Sequence, residues 1–99
     1  MSKYSANADS GILTFNFAGE LDTLSCMEIE ENLLSQVKGH KGKVIFDLKS
    51  VEYISSSFIR LCGAAASLVG AQNLSLQNIT KDIRNTLTKI GLAKVLNIK

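Results

Sequence analysis

Gly42-Lys43-Val44-Ile45-Phe46-Asp47-Leu48, then Val51-Glu52-Tyr53-Ile54, then Ser55-Ser56-Ser57 is the stretch that decides the fold of this 99-residue chain. Val44-Ile45-Phe46 is a short continuous apolar run entered from a glycine, the pattern of a central strand covered on both faces. The serines stand at the head of a helix. Phe58, Leu61, Cys62, Ala65 and Val69 recur at offsets of three and four residues, and Gly70 closes the run. Within it Gly63, Ala64, Ala65 and Ala66 are small enough to let the helix lie close to a sheet.

Upstream, Cys26, Ile29, Leu33 and Val37 form one stripe of an earlier helix that stops near Gly39. Ser25-Cys26-Met27-Glu28 has the spacing of a capping box, which would open that helix. Before it, Leu13, Phe15 and Phe17 alternate with Thr14 and Asn16, the two-residue period of a half-buried strand. Tyr4, Ala6 and Ala8 alternate more weakly, and Asp9-Ser10-Gly11 is a turn, so the two runs read as a hairpin. Downstream, Leu74 and Leu76 alternate with Ser75 and Gln77 as another strand. Thr80 can cap a third helix bearing Ile83, Leu87 and Ile90 and ending at Gly91. Ala93 to Ile98 fits either a last short helix or a strand.

The order is therefore β-β-α-β-α-β-α. Strands joined by helices imply parallel pairing through right-handed crossovers, with the N-terminal strand as the antiparallel edge. The expected fold is α/β: a single four- to five-stranded mixed sheet with helices packed mainly on one face. Short loops leave no room for a second domain, so residues 1–99 read as one domain without internal repeats.

Composition narrows the function. Hydrophobic residues make up 45% and charged residues 20%, enough for a core and without a disordered signature. A net charge of +2, from 11 Lys and Arg against 9 Asp and Glu, is too balanced for a nucleic-acid or membrane surface. Met1-Ser2-Lys3-Tyr4 lacks the apolar core of a signal peptide. Leu61 to Val69, the longest stretch of low polarity, is interrupted by Ser67 and too short to span a bilayer, so no membrane insertion is expected. Cys26 and Cys62 lie on apolar helix stripes, reading as buried thiols in a reducing compartment, the cytoplasm.

Catalytic chemistry finds little footing. His40, the one histidine, sits in Gly39-His40-Lys41-Gly42 and reads as a solvated loop residue without a partner for general-base work. No phosphate-binding loop, nucleophile elbow or dinucleotide fingerprint is present. Asp9, Asp22, Asp47 and Asp82 are too scattered to signal a metal site, so the chain reads as a non-enzyme with no catalytic residue, metal or cofactor. Two places remain. Gly19-Glu20-Leu21-Asp22 puts two carboxylates just past the end of a strand, and Ser55-Ser56-Ser57 opens a helix. Both fall at the carboxyl edge of the sheet, where α/β proteins bind partners. The plain alternatives are a polar loop with Asp22 near a helix start, and simple helix capping by a serine.

Together these residues resemble a known family. Gly19-Glu20-Leu21-Asp22, Val44-Ile45-Phe46-Asp47-Leu48, Val51-x-Tyr53-Ile54-x-Ser56-Ser57 and Gly91-Leu92 are similar in order and spacing to STAS domains of the anti-sigma factor antagonist group. The resemblance runs from about Gly11 to Ile98. It implies a protein-binding regulator that, when unphosphorylated, binds a serine-kinase, anti-sigma-type protein and is released once phosphorylated. A metal-dependent serine phosphatase would restore it. The output would be a sigma factor or another pathway such as biofilm or exopolysaccharide control. The implied acceptor, in a gapless match, is Ser56, with Ser57 as its rival. Glu20, Asp22, Ser55, Ser57, Phe58 and Ile59 become the implied partner-binding residues. The chain departs from the family at Ser55, usually Asp, and at Phe58, usually Gly. Phe58 fits either a partner anchor or the core, since its helical phase matches the buried stripe. A second reading is a STAS accessory subunit of a lipid-transport ABC system, and a third is a small enzyme or ligand binder of flavodoxin-like size.

Overall fold

The computed structural model describes residues 4–89 and 97–98. Strand β1 (Tyr4–Asp9) turns into β2 (Ile12–Leu21), followed by helix α1 (Thr23–Lys38), strand β3 (Lys43–Ile54) and helix α2 (Ser56–Val69). A short 3-10 turn at Ala71–Asn73 leads into β4 (Leu74–Gln77), α3 (Lys81–Lys89) and a two-residue β5 (Asn97–Ile98). The strands form one five-stranded sheet in chain order, β1 antiparallel to β2 and every later pair parallel. The last segment, open between helix and strand on sequence, is a strand at Asn97–Ile98. Ile90 and Gly91, expected at the end of the third helix, and the Gly91-Leu92 pair of the resemblance lie outside the described residues.

The hairpin closes through Ser10 (φ 53°) and Gly11 (φ 80°), the paired positive angles of the turn that matches strand twist. Leu13, Phe15 and Phe17 of β2, Val44, Phe46 and Leu48 of β3, and Leu74 and Leu76 of β4 share one core with Cys26, Ile29, Leu33 and Val37 of α1. Phe58, Leu61, Cys62 and Ala65 of α2 and Ile83 and Leu87 of α3 join the same core, so the helices cover one face. The opposite face bears Thr14, Asp47, Ser75 and Gln77, and among the described residues no helix covers it. Ile45 points to that face and is half-buried, which corrects the expectation of a strand buried on both sides.

Two bulges decide how β3 ends. Its register against β2 slips between Asn16 and Ala18 and again between Gly19 and Glu20, each slip placing one extra residue in β3. The inward positions therefore pass from Val44, Phe46 and Leu48 to Val51 and Ile54, out of the two-residue period. Asp47 braces the first bulge by accepting the Lys49 N–H at 3.0 Å.

Three local expectations are corrected. Helix α1 begins at Thr23, not at a capping box led by Ser25; its cap is Asp22, whose Oδ1 accepts the Ser25 N–H at 2.8 Å. His40 is not a free loop residue, since its Nε2 lies 3.1 Å from both the Gly11 and the Lys43 carbonyl oxygens. With the proton on Nε2, the ring donates to either and ties the α1–β3 turn to the hairpin turn. Gly63 is exposed and a methyl added there would meet nothing, so only Ala65 and Ala66 among the small residues lie in the interior.

Candidate functional site

Parallel strands β2 and β3 end side by side, with Leu21 in register with Ile54, and each feeds a helix from the same sheet edge. The two helix starts are bonded together. Ser55, the cap of α2, gives both its N–H (3.0 Å) and its hydroxyl (2.8 Å) to the Leu21 carbonyl. The Ser55 Oγ also accepts the Phe58 N–H at 3.4 Å. Cys26 lines the joint, its Sγ 3.7 Å from the Leu21 oxygen and 4.0 Å from Ser55 Oγ. Two residues further, the Ser57 hydroxyl donates to Thr23 Oγ1 at 3.4 Å and accepts from an Arg60 Nη2 at 3.3 Å.

The three consecutive serines thus face different surroundings. Ser55 is 7% exposed and Ser57 9%, whereas Ser56, the first residue of α2, is exposed to solvent. A helix start explains this: successive residues turn by about 100°, so neighbours of an outward residue point toward the joint or the core. Phe58 is fully buried, its ring 5.2 Å from that of Phe17 at 80° and 6.2 Å from that of Phe46. Between anchor and core, Phe58 is core, and it offers a partner no surface. Ile59 is half-buried and packs against the same core. Glu20 is exposed, but it lies inside β2 opposite Tyr53 rather than in a loop past the strand. Asp22 is exposed and serves as the α1 cap.

The edge also carries exposed apolar residues that the sequence alone does not assign to partner binding. Leu24 (67% exposed) and Met27 (68%) stand on the first turns of α1, and Tyr53 (51%) stands at the end of β3. A signal for the α1 pair does exist: both residues fall off the stripe of Cys26, Ile29, Leu33 and Val37. Arg60, exposed on α2, is the single charged residue of that helix.

Both cysteines are free and buried. Burial pushes the Cys62 thiol well above the ordinary range. Desolvation also raises the Cys26 thiol, against a lowering hydrogen bond from Ser55. Among the described residues no three His, Cys, Asp or Glu side chains gather as metal ligands, and no helix is long and apolar enough to cross a membrane.

A family profile for the STAS domain matches residues 3–99. The fold is similar to that of a Planctomyces limnophilus protein described as an anti-sigma-factor antagonist (STAS) domain protein, with a TM-score of 0.87 and 19% identity over 100% of this chain and 90% of that one. It is similar to the anti-sigma factor antagonist SpoIIAA in its unphosphorylated form, with a TM-score of 0.80 and 16% identity over 97% of this chain and 87% of that one. The Bacillus cell fate determinant SpoIIAA in its phosphorylated form gives a TM-score of 0.72 and 16% identity over 97% and 90% of the two chains. At these identities the likeness is one of fold. No curated protein matches the chain.

Proposed function

The chain belongs to the STAS domain family, and on that premise we propose that it is a protein-binding regulator of the anti-sigma factor antagonist type, switched by phosphorylation of Ser56. The observation that carries this reading is the exposure of Ser56 between two interior-facing serines, Ser55 at 7% and Ser57 at 9%. A kinase reaches an exposed hydroxyl; the rival Ser57 holds its own between Thr23 and Arg60.

Unmodified, the edge presents exposed Ser56 on the first turn of α2 and exposed Leu24 and Met27 on the first turns of α1, and this apolar pair supplies the contact that the family resemblance implies for Phe58 and Ile59. The partner is a serine-kinase, anti-sigma-type protein, and a metal-dependent serine phosphatase reverses the modification. A phosphate brings about −1.5 to −2 charges into a surface meant to pack against that partner. Glu20 and Asp22, exposed on the same edge, add to the negative field. A loss of about 2–3 kcal/mol lowers affinity about 30- to 150-fold, enough to release the complex. The fold itself is spared, because Ser56 holds no place in the joint that unites the two helix starts.

The test is titration of the kinase partner with wild type, Ser56→Ala and Ser56→Asp. Ser56→Ala is expected to bind like the unmodified protein. Ser56→Asp should bind more weakly, though short of full release, because one charge replaces nearly two. Equal affinities for the two variants, or a phosphate mapped only to another residue, would sink the assignment.

A further inference from the structure

Arg60 has a specific position relative to Ser56. The two residues are four apart on α2, the spacing at which helical side chains are neighbours. Side chains lean toward the N-terminus of a helix, so the long Arg60 side chain reaches back over the turn that holds the serines. It is already there: an Arg60 Nη2 lies 3.3 Å from Ser57 Oγ. That bond occupies one donor of a guanidinium that has five, and the acceptor is a neutral hydroxyl.

We propose that Arg60 is the phosphate-holding residue of the switch: once Ser56 is phosphorylated, the guanidinium leaves the Ser57 hydroxyl and pairs with the phosphate. This rests on the reading of Ser56 as the modified residue. A phosphate outcompetes the serine as acceptor, because charge-assisted, bidentate bonds to a guanidinium are about twice as strong as neutral ones. No other residue of α2 carries a charge. The acidic side chains exposed at this edge, Glu20, Asp22 and Glu52, repel the phosphate, so Arg60 is what keeps it tolerable. The exchange has a structural consequence. Ser57 loses its donor and keeps Thr23 as partner, so the event at Ser56 is transmitted to the first residue of α1, next to Leu24. Arg60 therefore positions the phosphate and couples it to the neighbouring helix start.

The experiment places phosphoserine directly at position 56 of the full chain by genetic-code expansion, with no kinase involved. The second phosphate ionisation is then followed by phosphorus NMR in the wild-type, Arg60→Gln, Arg60→Lys and Ser57→Ala backgrounds. A guanidinium on the phosphate stabilises the dianion, so the ionisation in wild type should lie about half a pH unit below that in Arg60→Gln. Arg60→Lys should fall between them, as a point charge without the planar fork. Ser57→Ala, which removes the competing acceptor, should leave the wild-type value unchanged or lower it slightly. Identical titrations for folded wild type and folded Arg60→Gln overturn the assignment of Arg60. A native-cell phosphate mapped away from Ser56 overturns the reading on which it rests, and the two failures appear in different measurements.

Discussion

The hydroxyl of Ser55 lies 2.8 Å from the carbonyl oxygen of Leu21, joining the cap of α2 to the last residue of β2 across 34 positions of sequence. The same hydroxyl accepts the Phe58 N–H, so it closes one helix while fastening it to the strand that feeds the other. Ser56, its neighbour, takes no part in this joint. A structural serine and an exposed serine thus stand side by side.

Alanine substitution should separate them. Ser55→Ala loses the cap and the bond to Leu21 and is expected to lower stability by about 1 kcal/mol, within the range of roughly 0.5–2 kcal/mol known for caps. Ser56→Ala should stay within about 0.5 kcal/mol of wild type, as surface substitutions do. Urea unfolding of the two variants decides; a larger loss at Ser56 than at Ser55 contradicts the arrangement.

Aspartate at position 55 would bring in the residue usual for the family, yet it should not strengthen this protein. A carboxylate caps as well as a hydroxyl, but it has no proton to give and would face the Leu21 oxygen at a spacing of about 3 Å. Ser55→Asp is expected to lower stability by about 1–3 kcal/mol at neutral pH. An unchanged or higher melting temperature would show that the joint tolerates an acceptor.

The division between core and proposed contact surface predicts opposite behaviour on the two neighbouring helices. Phe58→Ala empties a site enclosed by Phe17 and Phe46 and should cost about 3–5 kcal/mol. Leu24→Ser and Met27→Ser should melt like wild type, since both side chains are more than half exposed. Each should weaken binding of the proposed kinase partner by about tenfold or more if they form the apolar contact. Melts paired with titrations test both halves, and strong binding by the Leu24→Ser, Met27→Ser double variant would move the contact elsewhere.

Alkali should weaken the fold through Cys62. Its thiol is held above its ordinary value by burial, so the folded state keeps the proton after the unfolded chain has lost it. The stabilisation is complete below about pH 9 and declines above it, by up to about 1.4 kcal/mol per pH unit. Cys62→Ala will be less stable at neutral pH because of the space it leaves, but its stability should fall less steeply between about pH 9 and 10.5. Parallel slopes for the two proteins would rule Cys62 out as the cause.

Periodicity alone makes much of this molecule legible. A stripe at three- and four-residue offsets has one way to bury itself, so the spacing of Cys26, Ile29, Leu33 and Val37 is enough to assign them to the interior. The same holds for the alternating Leu13, Phe15 and Phe17, and the strand-helix order sets the parallel pairing. Which serine is exposed is another matter. Helix phase depends on where the first turn begins, and two bulges in β3 set that point by shifting Val51 and Ile54 inward. The phase of Phe58 suits an anchor and a core residue equally, and only the rings of Phe17 and Phe46 packed against it decide for the core. Asp22 displaces Ser25 as the cap because the chain enters α1 three residues earlier than the capping-box spacing implies. Arg60 draws no attention in sequence, where an arginine on a helix is ordinary; its meaning comes from the hydroxyl it already reaches. Sequence carries burial wherever a period repeats. Single residues at the junction of two elements have no period, and there only the folded chain decides which side each one faces.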